Sequence, residues 1–454
     1  MLELTALETL ADQVVEIVTE RDNAAQQHIE ANVRVQRTRH GLTRFANSFI
    51  HQNVGEDTVT LTLTLAVDAR TTSASTTSVD HASLVAMVDT AIASASLQPV
   101  DPYWPGATPP ADVEGLGNVD GATATADPDA RAQRVDAFVN AGGPGLEAAG
   151  YVDTELDQVA FASTAGHRTS GATTRATVDG IHQTETSAGS GHGTAVSLEA
   201  LDAATIGATA ADRARRSQDF IDIEPGTYEV VLGPDAVATV MTFLAFYGFN
   251  GKSFLEGSSF AEPGVQQFDS AITIVEDPSD PRSIGLPFDA EGSARRPFSL
   301  VEAGVTRNLA HDRRTAARAN TETTGNALAG GESFGAIPTS VALRPGDTSV
   351  EQMIASVGRG LLITTFHYVR ILDPKSQVAT GLTRNGTFLI EDGQVVGAVG
   401  NLRFTQSFVD ALAPGAVQAV GNDDRYADGE FGPGMVICPS IQLAKWTFTG
   451  GAQG

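Results

Sequence analysis

The chain has 454 residues, a formal net charge of −26 at pH 7 and a single cysteine, Cys438. The length predicts two or three domains. One cysteine excludes an internal disulfide and a thiolate zinc cluster. The acidic balance argues against nucleic-acid binding, which needs a basic surface. Cys438 has apolar neighbours, so we expect a buried and inert thiol.

Basic charge is carried almost wholly by arginine, and the surface is strongly acidic. Such a surface repels itself in dilute buffer, whereas about 1 M salt shortens the screening length to roughly 3 Å. The composition is typical of a salt-rich cytoplasm, as in halophilic archaea. No apolar run approaches the roughly 20 residues that span a bilayer, and the N-terminus does not resemble a signal peptide. We therefore expect a cytoplasmic protein without a membrane partner.

Residues 1–100 predict an N-terminal α+β unit. Apolar residues at helical spacing and alternating segments place its elements in the order helix, three strands, helix: Leu2 to Arg21, Ala31 to Arg37, Gly41 to His51, Thr58 to Val67, and Ser78 to Ser96 with Ser78 or Asp80 as N-cap. Helices next to antiparallel strands with one apolar face indicate a two-layer arrangement.

Residues 101–218 predict a second α+β unit, preceded by a linker rich in Pro, Gly and Asp. Its expected elements, in chain order, are a helix, three strands and a helix: Asp129 to Asn140, Val152 to Ser163, His167 to Val178, Gly193 to Leu201, and Ala203 to Ser217 capped by Asp202. This unit is expected to pack on the first.

Residues 219–454 predict a β-rich C-terminal domain, with an antiparallel sheet or a barrel-like arrangement. A strand from Tyr228 to Leu232 leads through Gly233-Pro234 into an apolar helix, Asp235 to Tyr247. Beyond it strands and turns alternate, with one further helix from Ser349 to Gly358. The predicted fold class is α+β, a two-layer α/β region followed by this domain.

The segment from Ile284 to Leu309 has apolar-polar alternation broken at Gly292 and Gly304, which predicts strand, turn, strand, turn, strand. It resembles the Pro-Phe-Asp-x-Glu-Gly…Arg…Glu-x-Gly-Val signature of the TldD/PmbA family, zinc-dependent peptidases and their partner subunits. Further segments resemble the family in the same order: Leu343 to Ile354, Gly360 to Thr364, Phe388 to Gly393, Gly400 to Leu402, and Val420 to Asp423.

Active members of that family carry a His-Glu-x-x-x-His helix, in which two histidines bind zinc and the glutamate activates water. The corresponding positions here are Thr242, Phe243 and Tyr247. The resemblance therefore implies no metal ligand and no catalytic residue in this chain. The family's third ligand is a cysteine, whose sequence context Cys438 does not match. This departure resembles the TldE/PmbA branch, whose members pair with a metal-bearing TldD subunit.

The family binds peptides in an extended conformation beside the metal, and extended binding uses an exposed strand edge. The resemblance implies that edge at Gly360, Thr364, Phe366 and His367. We expect a non-catalytic TldE/PmbA-like subunit of a zinc-dependent protease acting on peptides. Zinc is expected in a TldD-like partner, with no cofactor in this chain, and the assembly would be a heterodimer, or a homodimer.

Two alternatives remain open. One is a self-sufficient metallopeptidase of the same family with atypical ligands such as His167, His182 or His367. The other is a homodimeric peptide-binding protein without protease activity. The spacing of His167, His182 and His192 fits no zinc pattern, and we expect these histidines on strand surfaces. The run Gly189-Ser-Gly-His-Gly193 is interpreted as a hairpin turn with an exposed histidine.

Overall fold

The computed structural model describes residues 4–25, 28–331 and 333–451. Six antiparallel strands from the first half form one sheet in the order β3-β2-β1-β4-β5-β6. These strands are β1 (Ile29–Ala46), β2 (Phe49–Val67), β3 (Arg70–Thr76), β4 (Glu147–Ser163), β5 (Arg168–Gln183) and β6 (Ala188–Ala195). Strand β1 pairs with both β2 and β4, so both N-terminal segments contribute to a single sheet. The domain boundary after residue 100 stays a prediction.

Four helices cover one face of this sheet. They are α1 (Leu4–Ala25), α2 (His81–Ala95), α4 (Pro128–Gly142) and α5 (Ala203–Arg216), and a short helix, α3 (Gly121–Ala124), lies in the connector. On β4 the residues Ala148, Val152, Ala160 and Ala162 share one face, because side chains alternate along a strand. They belong to the two apolar cores under these helices. The opposite face carries Phe161, which packs on Phe288 of the second half.

The predicted N-terminal helices are present. Asp80 accepts a hydrogen bond from Ser83 N and caps α2, and Asp202 caps α5 in the same way through Thr205 N. Side chains of this kind satisfy the free N–H groups of a first turn. The predicted start of the first helix at Leu2 lies outside the described residues.

Two predicted strands in this half are wrong. The segment from Gly41 to His51 contains the hairpin turn between β1 and β2, where Asn47 and Ser48 have φ of 49° and 63°. Positive φ at both positions is the geometry of a two-residue turn that matches the twist of the strands. The segment from Gly193 to Leu201 leaves the sheet after Ala195 and forms a 3₁₀ turn at Leu198–Ala200.

The second half contains two sheets. The larger one has ten strands: β7 (Phe220–Ile221), β8 (Gly226–Leu232), β13 (Arg359–Ile363), β14 (Phe366–Asp373), β15 (Val378–Thr383), β16 (Thr387–Glu391), β17 (Gln394–Val399), β18 (Leu402–Ser407), β19 (Val417–Val420) and β22 (Ile441–Gly451). The smaller one has six: β9 (Ile274–Glu276), β10 (Phe298–Glu302), β11 (Val305–Thr306), β12 (Val341–Leu343), β20 (Arg425–Gly429) and β21 (Gly432–Cys438). The α+β class with a β-rich second half is confirmed.

Helix α6 (Pro234–Phe243) lies in the main apolar core of the second half, together with residues of both sheets, and continues into a π-helical turn at Leu244–Gly248. Helix α9 (Val350–Ser356) is the predicted one and has a capping box at Ser349. Three more helices were not predicted, because segments this short show no helical period: α7 (Gly251–Leu255), α8 (Arg313–Ala319) and α10 (Phe408–Ala411). No helix among the described residues is long and apolar enough to cross a membrane.

The family-like segment is only partly β-structure, which corrects the prediction of three strands. Its second half forms the hairpin of β10 and β11, with the turn at Gly304 as predicted. The first half is a loop organised by Asp289, whose carboxylate accepts hydrogen bonds from Glu291 N, Ser293 N and Ala327 N. A buried aspartate that holds three backbone N–H groups favours a tight loop over a ladder.

Candidate functional site

Helix α6 is fixed at its start by the end of strand β8. Gly233 N donates to Ile363 O, and Pro234 occupies the first helical turn, where no N–H is required. Each residue from Asp235 to Phe243 is buried. Helix α6 is therefore enclosed on every side, and its faces contact different regions of the molecule.

The three positions predicted to have lost the metal ligands lie at the C-terminal end of α6 and in the π turn. The hydroxyl of Thr242 donates to Ala238 O at 2.7 Å within the same helix. The ring of Phe243 is 1% exposed, and Tyr247 is partly buried beside it at a centroid distance of 5.8 Å. Phe243 thus has the surroundings of a core residue.

Further rings complete an aromatic cluster at this end of the helix. We define the aromatic cluster as six residues that contact each other through their rings: Phe243, Phe246, Tyr247, Phe334, Phe408 and Phe431. The ring of Phe431 lies 5.3 Å from both Phe243 and Phe246. Tilted and edge-on rings at such distances attract one another beyond simple burial.

This end of the helix does not fit a zinc ion of the family type. A phenyl ring at Phe243 has no lone pair to bind a metal and cannot accept a proton from water. Thr242 and Tyr247 offer hydroxyl groups where the family uses imidazole nitrogen, the ligand that zinc prefers. The interpretation of Thr242, Phe243 and Tyr247 as a lost metal helix stays a prediction.

The other side of α6 faces a polar cleft of about 430 Å³. The polar side chains that line this polar cleft include Asp179, His192, Asp235, Thr239, His367 and Asp428, together with Arg384, Asn385 and Glu430. The first six come from strands β5 and β6 of the first sheet and from α6, β14 and β20 of the second half. The cleft therefore lies at the junction between the two halves of the chain.

In the cleft wall, the buried side chain of Asp235 forms an ion pair with the partly exposed side chain of Arg425. One guanidinium nitrogen, Arg425 Nη2, lies 2.9 Å from each carboxylate oxygen of Asp235. Burial by itself raises the pKa of Asp235, but the positive charges of Arg425, His192 and Arg213 outweigh it, and the pKa lies below its usual value. Asp235 Oδ1 also accepts from Asp428 N at 3.1 Å, which fixes the backbone of β20.

Asp179, His192 and Asp428 converge in the same cleft. Asp179 and His192 are cross-strand partners on β5 and β6, so their side chains share one face. Among the described residues, these three form the one group of His, Cys, Asp or Glu whose possible ligand atoms all lie within 4.8 Å of each other. Sequence reasoning missed Asp179 and Asp428, because they are far apart in the chain and belong to no local motif.

Burial and neighbouring charges shift the pKa values of His192 and Asp428 in this group. Burial lowers the pKa of His192, but the hydrogen bond with Asp179 and the charges of Asp428 and Asp235 raise it above its usual value overall. Burial raises the pKa of Asp428 to about 6; the charge of His192 lowers it, whereas the charges of Asp179 and Asp235 raise it further. The group therefore has an excess of negative charge in a partly desolvated place.

The interpretation of Gly189 to Gly193 as a turn with an exposed histidine is wrong. These residues belong to strand β6, and the His192 side chain is 5% exposed. The glycines are needed because α5 crosses this strand closely. A Cβ on Gly189 or Gly191 would lie 2.2 Å from Ala210 O or 2.3 Å from Ile206 O.

His167 and His182 are buried, so their placement on strand surfaces is also wrong. His167 Nε2 lies 2.9 Å from Gly292 O, and His182 Nε2 lies 3.0 Å from Phe138 O. One ring nitrogen of each histidine is thus hydrogen-bonded to a backbone carbonyl. His367 lines the polar cleft, where its Nε2 lies 2.6 Å from an Arg384 nitrogen. The structure does not bring these three histidines together as a metal site.

The residues predicted to form a peptide-binding edge separate into two groups. Gly360 belongs to β13, which pairs with β8 on one side and with β16 on the other, so the expectation of an exposed edge there is wrong. Thr364 is buried, and its hydroxyl donates to Gly386 O. Phe366 and His367 belong to β14, the terminal strand of the ten-stranded sheet, and both line the polar cleft.

Cys438 is fully buried, as predicted, with its sulfur 3.3 Å from Pro234 O. Burial raises the pKa of the thiol well above its usual value. A neutral thiol in apolar surroundings is a poor nucleophile.

Comparison with known proteins assigns the family. The PmbA/TldA metallopeptidase C-terminal domain matches residues 225–450. The chain belongs to the TldD/PmbA family. A curated relative named metalloprotease, from Methanothermobacter thermautotrophicus, is 25% identical over 240 residues, 51% of this chain and 51% of that relative. The alignment thus spans about half the length of the curated relatives that the chain matches.

Two solved structures share the whole fold with this TldD/PmbA family member. TldE from Thermococcus kodakarensis aligns with a TM-score of 0.85 over 98% of this chain and 100% of its own. A candidate modulator of a DNA gyrase from Thermotoga maritima aligns with a TM-score of 0.84 over 97% and 100%. Each is 18% identical to the chain, a level at which the likeness shows the fold alone.

Proposed function

We propose that the chain is a non-catalytic TldE/PmbA-like subunit of a zinc-dependent protease that acts on peptides. Its partner would be a TldD-like chain with the His-Glu-x-x-x-His helix, in the cytoplasm of a salt-adapted cell. The observation that carries the proposal is Phe243, a ring packed among aromatic neighbours at the position of the family's catalytic glutamate. Metal-assisted hydrolysis needs a group that activates water, and a phenyl ring cannot do so.

The groove at the junction supports a role in holding an extended peptide. A larger groove of about 760 Å³ shares Arg384 and Asn385 with the polar cleft. Strand β14 ends the sheet at this point, and its pairing with β15 is irregular between His367 and Arg370. A terminal strand has free N–H and C=O groups that can pair with a peptide backbone. The subunit would then complete the substrate groove of its partner.

Reconstitution tests the proposal. The purified chain, supplied with zinc, should hydrolyse no peptide, whereas mixing it with the TldD-like protein of the same cell should give hydrolysis that a chelator abolishes. Hydrolysis by this chain alone, lost on chelation, would contradict the proposal. The variants His167→Gln, His182→Gln and His367→Gln would then show whether the alternative ligands support that activity.

A second experiment tests the role of strand β14. A peptide N-methylated at alternate backbone nitrogens cannot donate the hydrogen bonds of a β-ladder, so the complex should bind and cleave it far less well than the unmodified peptide. Equal cleavage of the two peptides would argue against pairing with a strand edge. Peptide binding by a homodimer of this chain, without any protease partner, would favour the alternative of a binding protein.

A further inference from the structure

The polar cleft contains two carboxylates and one imidazole that face each other. Asp179 and His192 come from the first sheet, and Asp428 comes from β20 of the second half. Among the described residues, no arginine or lysine nitrogen lies within salt-bridge distance of Asp428. The nearby arginines form ion pairs with other carboxylates, Arg425 with Asp235 and Arg370 with Glu430. Two carboxylates here share one histidine.

The orientation of the His192 imidazole determines which ring nitrogen can bind a ligand between the two carboxylates. His192 Nε2 lies 3.0 Å from Thr194 Oγ1, and Nδ1 lies 3.2 Å from Asp179 Oδ2. If Nε2–H donates to the threonine hydroxyl, Nδ1 presents a lone pair toward both carboxylates. Metal-bound histidines are held in this way, with the second ring nitrogen donating to a neighbour. The possible ligand atoms of the three side chains then lie within 4.8 Å of one another.

The separation of the donors suits a small divalent ion. Two ligands on tetrahedral zinc, each roughly 2.0–2.1 Å from the metal, lie about 3.3 Å apart, close to the 3.2 Å between His192 Nδ1 and Asp179 Oδ2. A mixed set of one imidazole and two carboxylates favours Zn²⁺ or Mn²⁺ over Ca²⁺ and Mg²⁺, which prefer oxygen alone.

We propose that Asp179, His192 and Asp428 bind one divalent transition-metal ion. The ion would join the first sheet to β20 across the junction, with its remaining coordination position open to the cleft of about 430 Å³. A water molecule or a carboxylate of a bound peptide has the chemistry to fill that position. The site uses none of Thr242, Phe243 and Tyr247, and it modifies the expectation that this chain holds no cofactor.

Metal titration of the full chain tests this site. The protein is stripped with a chelator, dialysed into buffer with molar KCl to screen its acidic surface, and titrated with Zn²⁺ and then with Mn²⁺ by calorimetry. We expect one ion per chain, a rise in Tm on binding, and little competition from Ca²⁺. The variants Asp428→Asn, Asp179→Asn and His192→Gln should each weaken binding at least tenfold.

Matched controls separate the site from the general surface. Asp410→Asn and His51→Gln remove the same two side-chain types at exposed positions, so neither should change the stoichiometry or the affinity. X-ray absorption on the loaded protein should show nitrogen and oxygen ligands at about 2.0–2.2 Å. Circular dichroism of each variant establishes that it is folded.

Two results would overturn the inference: no stoichiometric binding by the folded wild-type chain, or binding that the three site variants leave unchanged. Peptide hydrolysis distinguishes this inference from the proposed function. Metal binding without hydrolysis by the chain alone supports the site and leaves the proposed function intact. Hydrolysis by the chain alone that Asp428→Asn abolishes would refute the proposed function but not the site.

Discussion

The two sides of helix α6 differ in chemistry although they are only two helical turns apart. At the C-terminal end, Phe243 and its neighbours form the aromatic cluster, with no charged group among them. On the side facing β5 and β6, Asp235 and Thr239 line the polar cleft. Apolar residues at one end of a helix therefore do not make the surrounding junction apolar.

The largest expected effect comes from the aromatic cluster. Phe243→Ala should lower the free energy of unfolding by about 3–5 kcal/mol, because a buried ring is removed and a cavity remains. Denaturant unfolding in molar KCl measures this. The matched control is Phe431→Ala, at the exposed rim of the same cluster. It should lower the free energy of unfolding much less than Phe243→Ala. Equal losses in the two variants would show that Phe243 is not the centre of the packing.

The next effect concerns the ion pair on the polar side. Arg425→Ala should cost about 3 kcal/mol, the lower end of the range for breaking a buried pair, because the Arg425 side chain is 37% exposed. Arg307→Ala removes one partner of an exposed pair with Glu302 and should cost less than about 1 kcal/mol. A loss at Arg425 as small as that at Arg307 would mean that solvent reaches Asp235 freely.

The loop at Asp289 contains a further group of neighbouring carboxylates, outside the polar cleft, whose pKa values are shifted mainly by burial. Burial, followed by the charges of Asp289 and Asp312, raises the pKa of Glu291. A raised pKa means that the folded state binds the proton more tightly than the unfolded state, so stability falls as pH rises above the ordinary glutamate pKa and through the raised one.

Glu291→Gln should remove this pH dependence. We expect the variant to gain stability relative to wild type at pH 8 and to gain little at pH 5, in unfolding curves measured at both values. Glu256→Gln, on the exposed end of α7, is the control and should show no such difference. An equal change at both pH values would indicate lost hydrogen bonds to the Glu291 carboxylate instead.

The smallest expected effect is at Thr242, which is predicted to occupy the position of a histidine ligand in active members of the family. Thr242→Val keeps the shape of the side chain and removes a hydroxyl that donates only to Ala238 O, whose own helical bonding continues. The free energy of unfolding should change by less than about 1.5 kcal/mol, and metal affinity should not change. A lowered metal affinity would connect Thr242 to the site at Asp428.

The family, the fold class and most of the long helices could be predicted from the amino-acid sequence, because they depend on hydrophobic periodicity and on motifs within short segments. The N-cap residues Asp80, Asp202 and Ser349 could be predicted for the same reason, since a cap acts over one helical turn. The side chains of Thr242, Phe243 and Tyr247 contain no nitrogen, so the absence of an imidazole ligand there could also be predicted from the residue types.

The meeting of the polar groups in one cleft could not be predicted from the sequence, because it depends on how distant segments pack. Asp179, His192 and Asp428 lie on strands of two different sheets, and pairing between distant strands leaves no short-range signal. His192 was misjudged because the glycines around it indicated a turn, whereas they allow α5 to approach the strand. Gly360 was misjudged because a strand at the edge of a sheet and one in its middle can have the same sequence pattern; only the neighbours β8 and β16 distinguish them.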